Sequence, residues 1–320
     1  MDKQKIVAIV GCTASGKTAL SVELARRAKG EIVSCDSMQI YRGMDIGTAK
    51  PTYEERRGIP HHLIDIVDPE EDFSCADYAR LADACISEII SRGKLPIVCG
   101  GTGLYLDGLL RGGSFEETET DPDFRAQMNE YALDFGTAAL HEKLREVDPE
   151  SAEAIHPNNV KRVIRALEIY HTTGRKKSEL DKESRKPESK YDALVIGLRY
   201  PDREVLYERI NKRVDQMVAD GLAEETGKLY GAGVFERSKT AAQAIGYKEL
   251  LPYFRGDATL DASVETLKLA TRHYAKRQMT WFASKPYIKW IDVLPGMSFE
   301  DIVNISLNLF RSENICDIIN

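Results

Sequence analysis

The chain has 320 residues, of which 42% are hydrophobic and 30% charged, and this balance is typical of a globular protein with one large or two modest domains. No apolar run approaches the roughly 18 residues of a membrane-spanning helix, and the apolar stretch after the N-terminus is too short for a signal peptide, so the sequence excludes a transmembrane protein and predicts no membrane partner. The net charge of −7 argues against nucleic-acid binding by the chain as a whole, although it does not exclude local positive clusters.

The first hundred residues alternate short apolar runs with segments of helical periodicity. Strands are predicted at residues 6–10, 31–35 and 95–99, and helices at 19–28 and 78–90. This alternation favours right-handed crossovers and a parallel sheet covered by helices on both faces. We therefore expect an α/β fold.

The pattern changes at residues 111–123, where turn-forming and acidic residues replace apolar periodicity. Helical spacing then runs from residue 124 to about 170, with one apolar face formed by Val160, Val163, Ile164, Leu167 and Tyr170. A hydrophilic stretch follows at 171–190, and an apolar strand returns at 193–198. We predict a core formed by residues 1–115 and 191–320 and an all-helical insertion domain at 116–190, with helices dominating the chain after residue 203.

The six cysteines form no Cys-x-x-Cys pair, and most lie in apolar segments. They are Cys12, Cys35, Cys75, Cys85, Cys99 and Cys316. This usage predicts reduced thiols in a cytoplasmic protein, and neither a disulfide framework nor a zinc site.

Residues 11–18, Gly-Cys-Thr-Ala-Ser-Gly-Lys-Thr, match the Walker A pattern between a predicted strand and a predicted helix. The glycines let consecutive backbone N–H groups turn toward a phosphate, Lys17 adds a cation, and Thr18 offers a hydroxyl to Mg²⁺. The following helix directs its positive dipole end at the same anion. The predicted polyphosphate site consists of Gly11, Thr13, Ala14, Ser15, Gly16, Lys17 and Thr18.

The Walker A motif leaves the reaction open. A GTPase switch requires Asp-x-x-Gly, and no Asp in the chain stands three residues before a Gly. The segment 211–214, Asn-Lys-Arg-Val, also fails the guanine-reading pattern Asn-Lys-x-Asp. These two failures argue against a GTPase switch.

Two further predicted strands end in residues that could take part in catalysis or ligand binding. Asp36 follows the strand at 31–35, and Gly-Gly-Thr-Gly at 100–103 follows the strand at 95–99. Ligands of doubly wound sheets bind at the carboxyl ends of strands, so both segments should lie near the phosphate site. Asp36 would hold Mg²⁺ through water or accept a proton from a nucleophile, unless it is only a solvated turn residue. The glycines would aim the Thr102 hydroxyl at a ligand.

Taken together, these motifs resemble the tRNA dimethylallyltransferases, the bacterial-type tRNA isopentenyltransferases of the IPP transferase family. The matching stretches run in order over nearly the whole chain and comprise Gly11–Thr18, Asp36–Tyr41, Gly47–Pro51, His61–Asp65, Gly100–Tyr105, Arg162–Glu168, Ala244–Glu249 and Lys276–Phe282. One departure is Cys12, where the family usually has proline. Its side chain should point away from the phosphate.

The resemblance implies a P-loop NTPase-like parallel sheet and transfer of a dimethylallyl group from its diphosphate to the exocyclic amine of the adenine 3′-adjacent to the anticodon of tRNA. It implies that the Walker A loop and Mg²⁺ hold the donor's diphosphate, that Asp36 is the general base, and that Thr102 hydrogen-bonds the attacked amine. An arginine near residue 213 would reach the diphosphate. Arg213 is the expected residue, Arg209 competes with it, and either could instead lie on the surface.

Local positive charge supports an RNA partner despite the net charge. Residues 266–289 contain six Lys or Arg and no acid, namely Lys268, Arg272, Lys276, Arg277, Lys285 and Lys289. A second cluster on the inserted helices would grip the anticodon stem-loop from the other side, with the target adenine flipped out of its loop. The expected tRNA contacts are Asp36, Ser37, Met38, Gln39, Lys161, Arg162, Arg165, Gly246, Tyr247, Lys276, Arg277, Gln278 and Trp281.

Three other functions remain open at this stage. A prenyltransferase acting on free adenine nucleotides would not need the two basic clusters, and a small-molecule or nucleotide kinase would share the Walker A loop and a strand-end aspartate. A non-catalytic RNA-binding protein would leave Asp36 and Thr102 without a role. The adjacent His61 and His62 lack metal-ligand spacing and are interpreted as structural. We expect a monomer.

Overall fold

The computed structural model describes residues 3–110, 120–183 and 189–315. The chain divides into two compact units, a core of residues 1–110 and 190–320 and a second unit of residues 111–189. The predicted domain boundary between residues 115 and 116 lies outside the described residues, as do most of the predicted linker and Cys316.

The core contains a parallel sheet with six strands in its described residues. These are β1 (Gln4–Gly11), β2 (Gly30–Ser34), β3 (His61–His62), β4 (Leu95–Gly100), β5 (Tyr191–Arg199) and β6 (Ile288–Asp292). The strand order is β3-β2-β4-β1-β5-β6, and every neighbouring pair is parallel. The predicted α/β class with a parallel sheet is confirmed. Apolar strands such as β1 are buried on both faces, and parallel neighbours of this kind can be joined only by crossover connections.

Helices cover both faces of the sheet, and further helices follow β5. The core helices are α1 (Lys17–Arg27), α2 (Tyr53–Arg56), α3 (Cys75–Ser91), α4 (Gly103–Leu110), α9 (Arg203–Ala219), α10 (Leu222–Gly231), α11 (Val234–Arg237), α12 (Leu251–Arg255), α13 (Leu260–Ala283) and α14 (Phe299–Ser312). One face packs against α3 and α4 through Ile86 and Leu106, and the other against α1 and α14 through Leu20 and Phe310. Burying each such side chain contributes about 1.5–3 kcal/mol.

Two strands escaped the sequence analysis. The strand β3 has only two residues, and β6 is an edge strand whose sequence, Ile-Lys-Trp-Ile-Asp, alternates buried and exposed positions. Because β6 begins only five residues after α13 ends at Ala283, its five residues fell within or next to the predicted basic segment at 266–289. The remaining predicted strands and helices occur within a few residues of their expected positions.

The second unit is helical throughout its described residues, with α5 (Pro122–Val147), α6 (Pro149–Ala154), α7 (Val160–Thr173) and α8 (Lys177–Glu183). Val163, Ile164 and Leu167 are buried as predicted, but Tyr170 is 38% exposed and so lies outside the apolar core of α7. The predicted apolar face of α7 therefore turns away from the core of this unit at the end of the helix. No helix among the described residues is long and apolar enough to cross a membrane.

Candidate active site at the carboxyl edge of the sheet

The Walker A loop joins β1 to α1 and has a backbone that few side chains allow. Gly11 has φ 154° and Gly16 has φ 92°. A Cβ at Gly11 would lie 2.8 Å from the Ser15 Oγ and 3.1 Å from the Leu198 carbonyl oxygen. Cys12 is only 1% exposed, so its side chain points into the core, as expected for the departure from proline. The loop is therefore shaped by glycine and packing. Its Thr13 and Ser15 N–H groups are hydrogen-bonded within the protein, and the N–H groups of residues 14 and 16–18 are the ones placed to bind an anion.

Two cations and one carboxylate face each other beside this loop. Burial lowers the pKa of Lys17, and the nearby charge of Asp36 opposes that shift whereas the charge of Arg213 adds to it. Burial likewise lowers the pKa of Arg213, again opposed by Asp36. Two buried positive charges placed close together repel each other, and an added anion stabilises both. This arrangement therefore favours a ligand with more than one negative charge.

The structure separates the two competing arginines of α9. The Arg209 Nε donates a hydrogen bond to the Ala14 carbonyl oxygen at 3.0 Å, and its guanidinium lies over the Tyr200 ring at 5.2 Å from the centroid. Arg213, one turn later, lines the cavities on both sides of the loop. Both arginines line the neighbouring cavity beside the Walker A loop, and Arg213 also lines the cavity that contains Asp36, so Arg213 stays the predicted diphosphate ligand.

A cavity of about 550 Å³ opens at the carboxyl ends of β1, β2 and β4. Its polar lining combines the Walker A residues Lys17 and Thr18 with Asp36 and Arg213, and its apolar lining includes Ile32, Ile64, Met38, Val214, Met217 and Leu267. A neighbouring cavity of about 880 Å³ shares Lys17, Thr18 and Arg213 with it. The site can therefore hold a charged group and an apolar group side by side.

Asp36 and Thr102 come together because β2 and β4 are adjacent strands. The Met38 N–H donates to the Asp36 Oδ1 at 2.9 Å, and the Ser37 N–H donates to the Thr102 Oγ1 at 3.0 Å. A Cβ at Gly100 would lie 2.0 Å from the Cys35 carbonyl oxygen, so only glycine allows the two strand ends to approach this closely. The two motifs therefore lie side by side, but Asp36 lines the cavity and Thr102 is not among its described lining residues.

Gln278 of α13 forms hydrogen bonds to two loops of the core. Its Oε1 accepts a hydrogen bond from the Thr13 N–H at 2.9 Å, and its Nε2 donates to the Gly101 carbonyl oxygen at 2.9 Å. The side chain is buried, and a Cβ at Gly101 would lie 2.2 Å from its Nε2. Gln278 was expected to contact tRNA, but its polar atoms are committed to joining the Walker A loop to the loop after β4.

Tyr247 also differs from its expected role. It is fully buried, and its hydroxyl donates to the Glu225 Oε1 at 2.6 Å, so it does not offer a surface to RNA and its assignment as a direct contact is corrected. The same carboxylate accepts the N–H groups of residues 45–47. Gly47 packs flat on the Tyr247 ring, where a Cβ would lie 2.4 Å from Cζ, and Gly246 lies against the Gly47 backbone. Tyr247 therefore fixes the loop that forms one wall of the cavity.

The loop after β2 carries three of the expected RNA contacts. Ser37, Met38 and Gln39 are half-buried and line the cavity. The Gln39 Nε2 donates to the carbonyl oxygens of Thr48 at 3.3 Å and Ala49 at 3.1 Å. Gln39 thus holds two walls of the cavity together while its backbone remains at the mouth.

The predicted basic segment at 266–289 is partly neutralised. The Lys268 ammonium lies 2.8 Å from carboxylate oxygens of both Asp215 and Glu265, and Lys285 lies 2.6 Å from buried Asp107. These two lysines are therefore removed from the proposed RNA footprint. Two of their partners, Asp215 and Asp107, lie far away in the chain, whereas Glu265 lies one turn before Lys268, just outside the segment 266–289. Lys276 and Arg277 remain exposed, and Arg277 lies over the Tyr274 ring.

Trp281 lies one turn beyond these cations. It is half-buried, the Lys285 ammonium lies 5.2 Å from its ring centroid, and a Cβ at Gly103 would lie 2.2 Å from its Cδ1. Its ring therefore packs against the start of α4 and supports the loop that carries Thr102.

The second basic cluster lies on α7 in the helical unit. Lys161 and Arg162 are exposed, whereas Arg165 forms an ion pair with Glu168, which is 0% exposed. The Arg125 guanidinium also binds Glu168, at 2.8 Å. Lys161 and Arg162 are exposed to a partner, whereas Arg165 is paired with Glu168 within α7, and it is Arg125 that links α5 to α7 through the same carboxylate.

His61 and His62 form the short strand β3, and His61 also lines the cavity. His61 donates its Nδ1–H to the Ile59 carbonyl oxygen at 2.8 Å, and the His62 Nε2 lies 2.7 Å from the Glu31 carboxylate. Among the described residues no group of three or more His, Cys, Asp and Glu could hold a metal ion. Protein-bound Mg²⁺ usually keeps several waters and takes one or two protein oxygens plus substrate phosphates, so the Thr18 hydroxyl with Asp36 nearby fits that chemistry.

Tyr274 is a site residue that the sequence analysis used only as part of an apolar helix face. It lines the cavity together with Asp36 and with Gln278, which lies one turn later on the same helix. Burial and the charge of Asp36 raise its pKa. Its position four residues before Gln278 is the only signal in the sequence that could have revealed it.

Comparisons with known proteins agree with one another. A family model described as IPP transferase matches residues 39–285, and one described as Isopentenyl transferase matches residues 4–67. The tRNA dimethylallyltransferase of Bacillus subtilis is 53% identical over 298 residues, covering 93% of this chain and 94% of that protein. The tRNA dimethylallyltransferase of Bacillus pumilus is 51% identical over 299 residues, covering 93% of each.

Two solved structures share the fold over almost the whole chain. The full-length tRNA isopentenylpyrophosphate transferase of Bacillus halodurans has 47% sequence identity and a TM-score of 0.71, covering 98% of this chain and 99% of that one. A eukaryotic dimethylallyltransferase, solved in crystallographic snapshots of its action on tRNA, has 32% identity and a TM-score of 0.79, covering 97% of this chain and 80% of that one.

Proposed function

The chain belongs to the IPP transferase family of prenyltransferases, as its motifs predicted, and from this premise we propose its reaction. It transfers the dimethylallyl group of dimethylallyl diphosphate to the exocyclic amine of the adenine 3′-adjacent to the anticodon in tRNA. The products are N6-(dimethylallyl)adenosine in the tRNA and free diphosphate. The predicted P-loop NTPase-like fold is that of its relatives.

The observation that carries this proposal is the charge arrangement of the cavity. Lys17 and Arg213 are partly desolvated cations on one side, and Asp36 is the only carboxylate among the described residues that line it. A diphosphate placed between the cations leaves Asp36 facing the opposite side, toward an incoming nucleophile. One clamp for a leaving group and one lone base are what an alkyl transfer from a diphosphate to a weakly nucleophilic amine requires.

The donor's diphosphate would bind to the backbone N–H groups of residues 14 and 16–18 and to the side chains of Lys17 and Arg213. The Thr13 and Ser15 N–H groups already donate to the Gln278 Oε1 and to the Cys12 carbonyl oxygen. These groups stabilise the charge that grows on the leaving oxygen as its bond to the allylic carbon breaks. Mg²⁺, held by Thr18 and the diphosphate, would supply further charge neutralisation. The apolar wall that contains Ile32, Ile64 and Met217 would receive the dimethylallyl group.

The acceptor adenine would enter the cavity flipped out of its loop, because its amine is inaccessible while stacked. As the amine nitrogen bonds to the allylic carbon, its proton becomes acidic, and Asp36 would remove it. The Thr102 hydroxyl would orient the base. Residues 37–39 and Gly246 at the cavity mouth would contact the loop, and Lys161, Arg162, Lys276 and Arg277 the phosphates.

A transfer assay tests the proposal against its two enzymatic rivals. The purified protein is incubated with Mg²⁺, labelled dimethylallyl diphosphate and either unmodified tRNA or AMP, and a parallel reaction contains ATP. Label in tRNA alone is expected. Label in AMP would instead identify a nucleotide prenyltransferase, and phosphate release from ATP without label in either acceptor would identify a kinase.

A further inference from the structure

A third cavity, of about 550 Å³, lies beside the cavity that contains Asp36 (the Asp36 cavity) and has no part in the chemistry proposed above. It is formed by residues 235–266, which comprise α11, α12, the start of α13 and the segments between them. Its lining is partly apolar, and its polar members are Gln243, Lys248, Glu249, Arg255, Ser263 and Thr266. Apolar walls with a few polar groups, at this volume, are typical of a ligand pocket.

Two side chains belong to the lining of both cavities. Gln243 and Lys248 line the third cavity and also the Asp36 cavity, so the two cavities are neighbours with a shared wall. Consecutive nucleotides of an RNA chain are joined through one phosphate. An RNA that places one base in each cavity would therefore carry the phosphate between those bases past the shared wall.

Lys248 is the cation of this shared wall. Its side chain is 36% exposed, and its Nζ lies 3.7 Å from the Glu249 Oε1, which is too long for a hydrogen bond. This contact therefore uses none of its three N–H donors. The Glu249 Oε2 accepts the Gly246 N–H at 3.0 Å, which fixes the carboxylate next to a residue of the Asp36 cavity. Lys248 is thus held at the shared wall with donors for a phosphate oxygen.

Two polar atoms in lining residues of the third cavity lack a partner. The Glu249 Oε1 and the Ser263 Oγ are buried without a hydrogen bond to any described residue, and the two residues are only 6% and 2% exposed. Buried polar atoms are nearly always hydrogen-bonded in native proteins, so two such atoms at one cavity indicate a ligand with polar groups. The edge of a nucleobase carries both donors and acceptors, and its ring suits an apolar wall.

We propose that the third cavity is a second nucleotide subsite, which takes the base next to the target adenine in the anticodon loop while Lys248 binds the phosphate between the two nucleotides. This inference rests on the proposed function and identifies how the protein holds the RNA around the reacting base. A flipped adenine is linked to the rest of the loop only through its backbone. Fixing the adjacent phosphate and base would position its amine relative to Asp36.

The phosphate contact is tested with stem-loops in which the linkage on the 5′ or the 3′ side of the target adenosine is a neutral methylphosphonate. Wild-type protein should bind one of these RNAs about tenfold more weakly than the normal RNA, since a charge-assisted hydrogen bond is lost. Lys248→Met should bind the normal RNA about equally weakly and lose nothing further on that modified RNA, because both changes remove the same contact. Lys228→Met, an exposed lysine of α10 that lines neither cavity, is the matched control.

The base subsite is tested by filling the third cavity. Ala262→Trp places a large ring at an exposed position of its lining and should raise the KM for the stem-loop about tenfold, with the KM for the donor unchanged. A stem-loop that is abasic at the neighbouring nucleotide, on the side that the methylphosphonate identifies, should bind equally to wild type and Ala262→Trp. Ala232→Trp, at an exposed position that lines neither cavity, is the control.

Two results would overturn the inference. One is undiminished binding of both methylphosphonate RNAs by the wild-type protein, and the other is an unchanged KM for the stem-loop in Ala262→Trp. Additive losses from Lys248→Met and the methylphosphonate would also contradict it. Failure of the wild-type protein to modify the normal stem-loop would instead overturn the proposed function itself.

Discussion

Asp36 is set apart from the other acids of the chain by its surroundings. It follows a buried strand, receives the Met38 N–H, and lies within electrostatic reach of Lys17 and Arg213. Its carboxylate lines the cavity and is placed to accept a proton from a bound nucleophile. The two cations would be occupied by the donor's diphosphate, which leaves Asp36 as the base.

Replacing Asp36 with Asn keeps the shape of the side chain and its hydrogen bond from Met38 but removes the base. We expect prenyl transfer to fall about 100-fold or more, because general base catalysis contributes about 10²–10⁴ in rate. Single-turnover labelling of tRNA measures the loss, and equilibrium binding of the donor should change little. Asp72→Asn, an exposed carboxylate outside the cavity, is the control. Activity near that of the control would show that Asp36 is not the base.

The state of Lys17 predicts how donor capture depends on pH. Burial lowers its pKa from the ordinary value of 10.5, so the free protein loses this charge at a lower pH than a surface lysine would. The ammonium form binds the diphosphate. The kcat/KM for the donor should therefore be highest below the lowered pKa and fall as pH rises through it. A profile that stays flat up to pH 10.5 would contradict this role.

At the scale of elements, the site depends on close contacts between segments that are distant in the chain. Glycines at the ends of β1 and β4 let the Walker A loop, the loop after β2 and helix α13 touch, and Gln278 locks the contact with two hydrogen bonds. These contacts determine where Asp36 and Thr102 lie relative to the diphosphate site. Small changes in packing should therefore affect activity without altering the fold.

Gly101→Ala tests this coupling. Its Cβ would lie 2.2 Å from the Gln278 Nε2, so Gln278 must leave its hydrogen bonds, and overpacking of this kind costs about 1–3 kcal/mol. We expect a lower free energy of unfolding in urea and a lower kcat. Gly231→Ala, at the end of α10 with no atom within 4 Å of its Cβ, should cause no loss. Equal behaviour of the two variants would show that the Gln278 contact does not shape the site.

The elements that local sequence determines were predicted, and those that depend on distant partners were not. The buried strands β1, β2 and β4 and the strand-end residues Asp36 and Thr102 follow from apolar runs and parallel topology. The two residues of β3 form a strand only through their hydrogen bonds to β2. Tyr247 has the local sequence of a turn residue, and its buried position depends on contacts with the distant Glu225 and Gly47. No local pattern contains such information.

For the whole molecule, the two predicted basic clusters are smaller than the sequence suggested, because some of their cations are paired with acids. Lys276 and Arg277 are exposed on the core, and Lys161 and Arg162 on the helical unit, whereas Lys268 and Lys285 are paired with acids. Each contact with a phosphate releases counterions, so the slope of log K against log salt measures how many phosphates the protein contacts. The molecule should therefore bind tRNA through few phosphate contacts and rely on the cavity for specificity.

A Lys276→Ala/Arg277→Ala variant should weaken tRNA binding and reduce the slope of log K against log salt by about 1–2, since each phosphate contact contributes about 0.7–0.9. Fluorescence anisotropy of a labelled stem-loop between low and moderate salt measures this slope. Lys268→Ala should leave it unchanged, because that ammonium is already bound by Asp215 and Glu265. An unchanged slope in the double variant would remove α13 from the RNA interface.

If the cavity transfers a dimethylallyl group to one adenine amine of tRNA, the position of that group in the product shows it. Unmodified tRNA is treated with the protein, Mg²⁺ and labelled dimethylallyl diphosphate, digested, and sequenced by mass spectrometry. The account predicts a dimethylallyl group on the exocyclic amine of the adenine immediately 3′ of the anticodon, and on no other nucleotide. A group on another position or another base, or none in the tRNA, would contradict it.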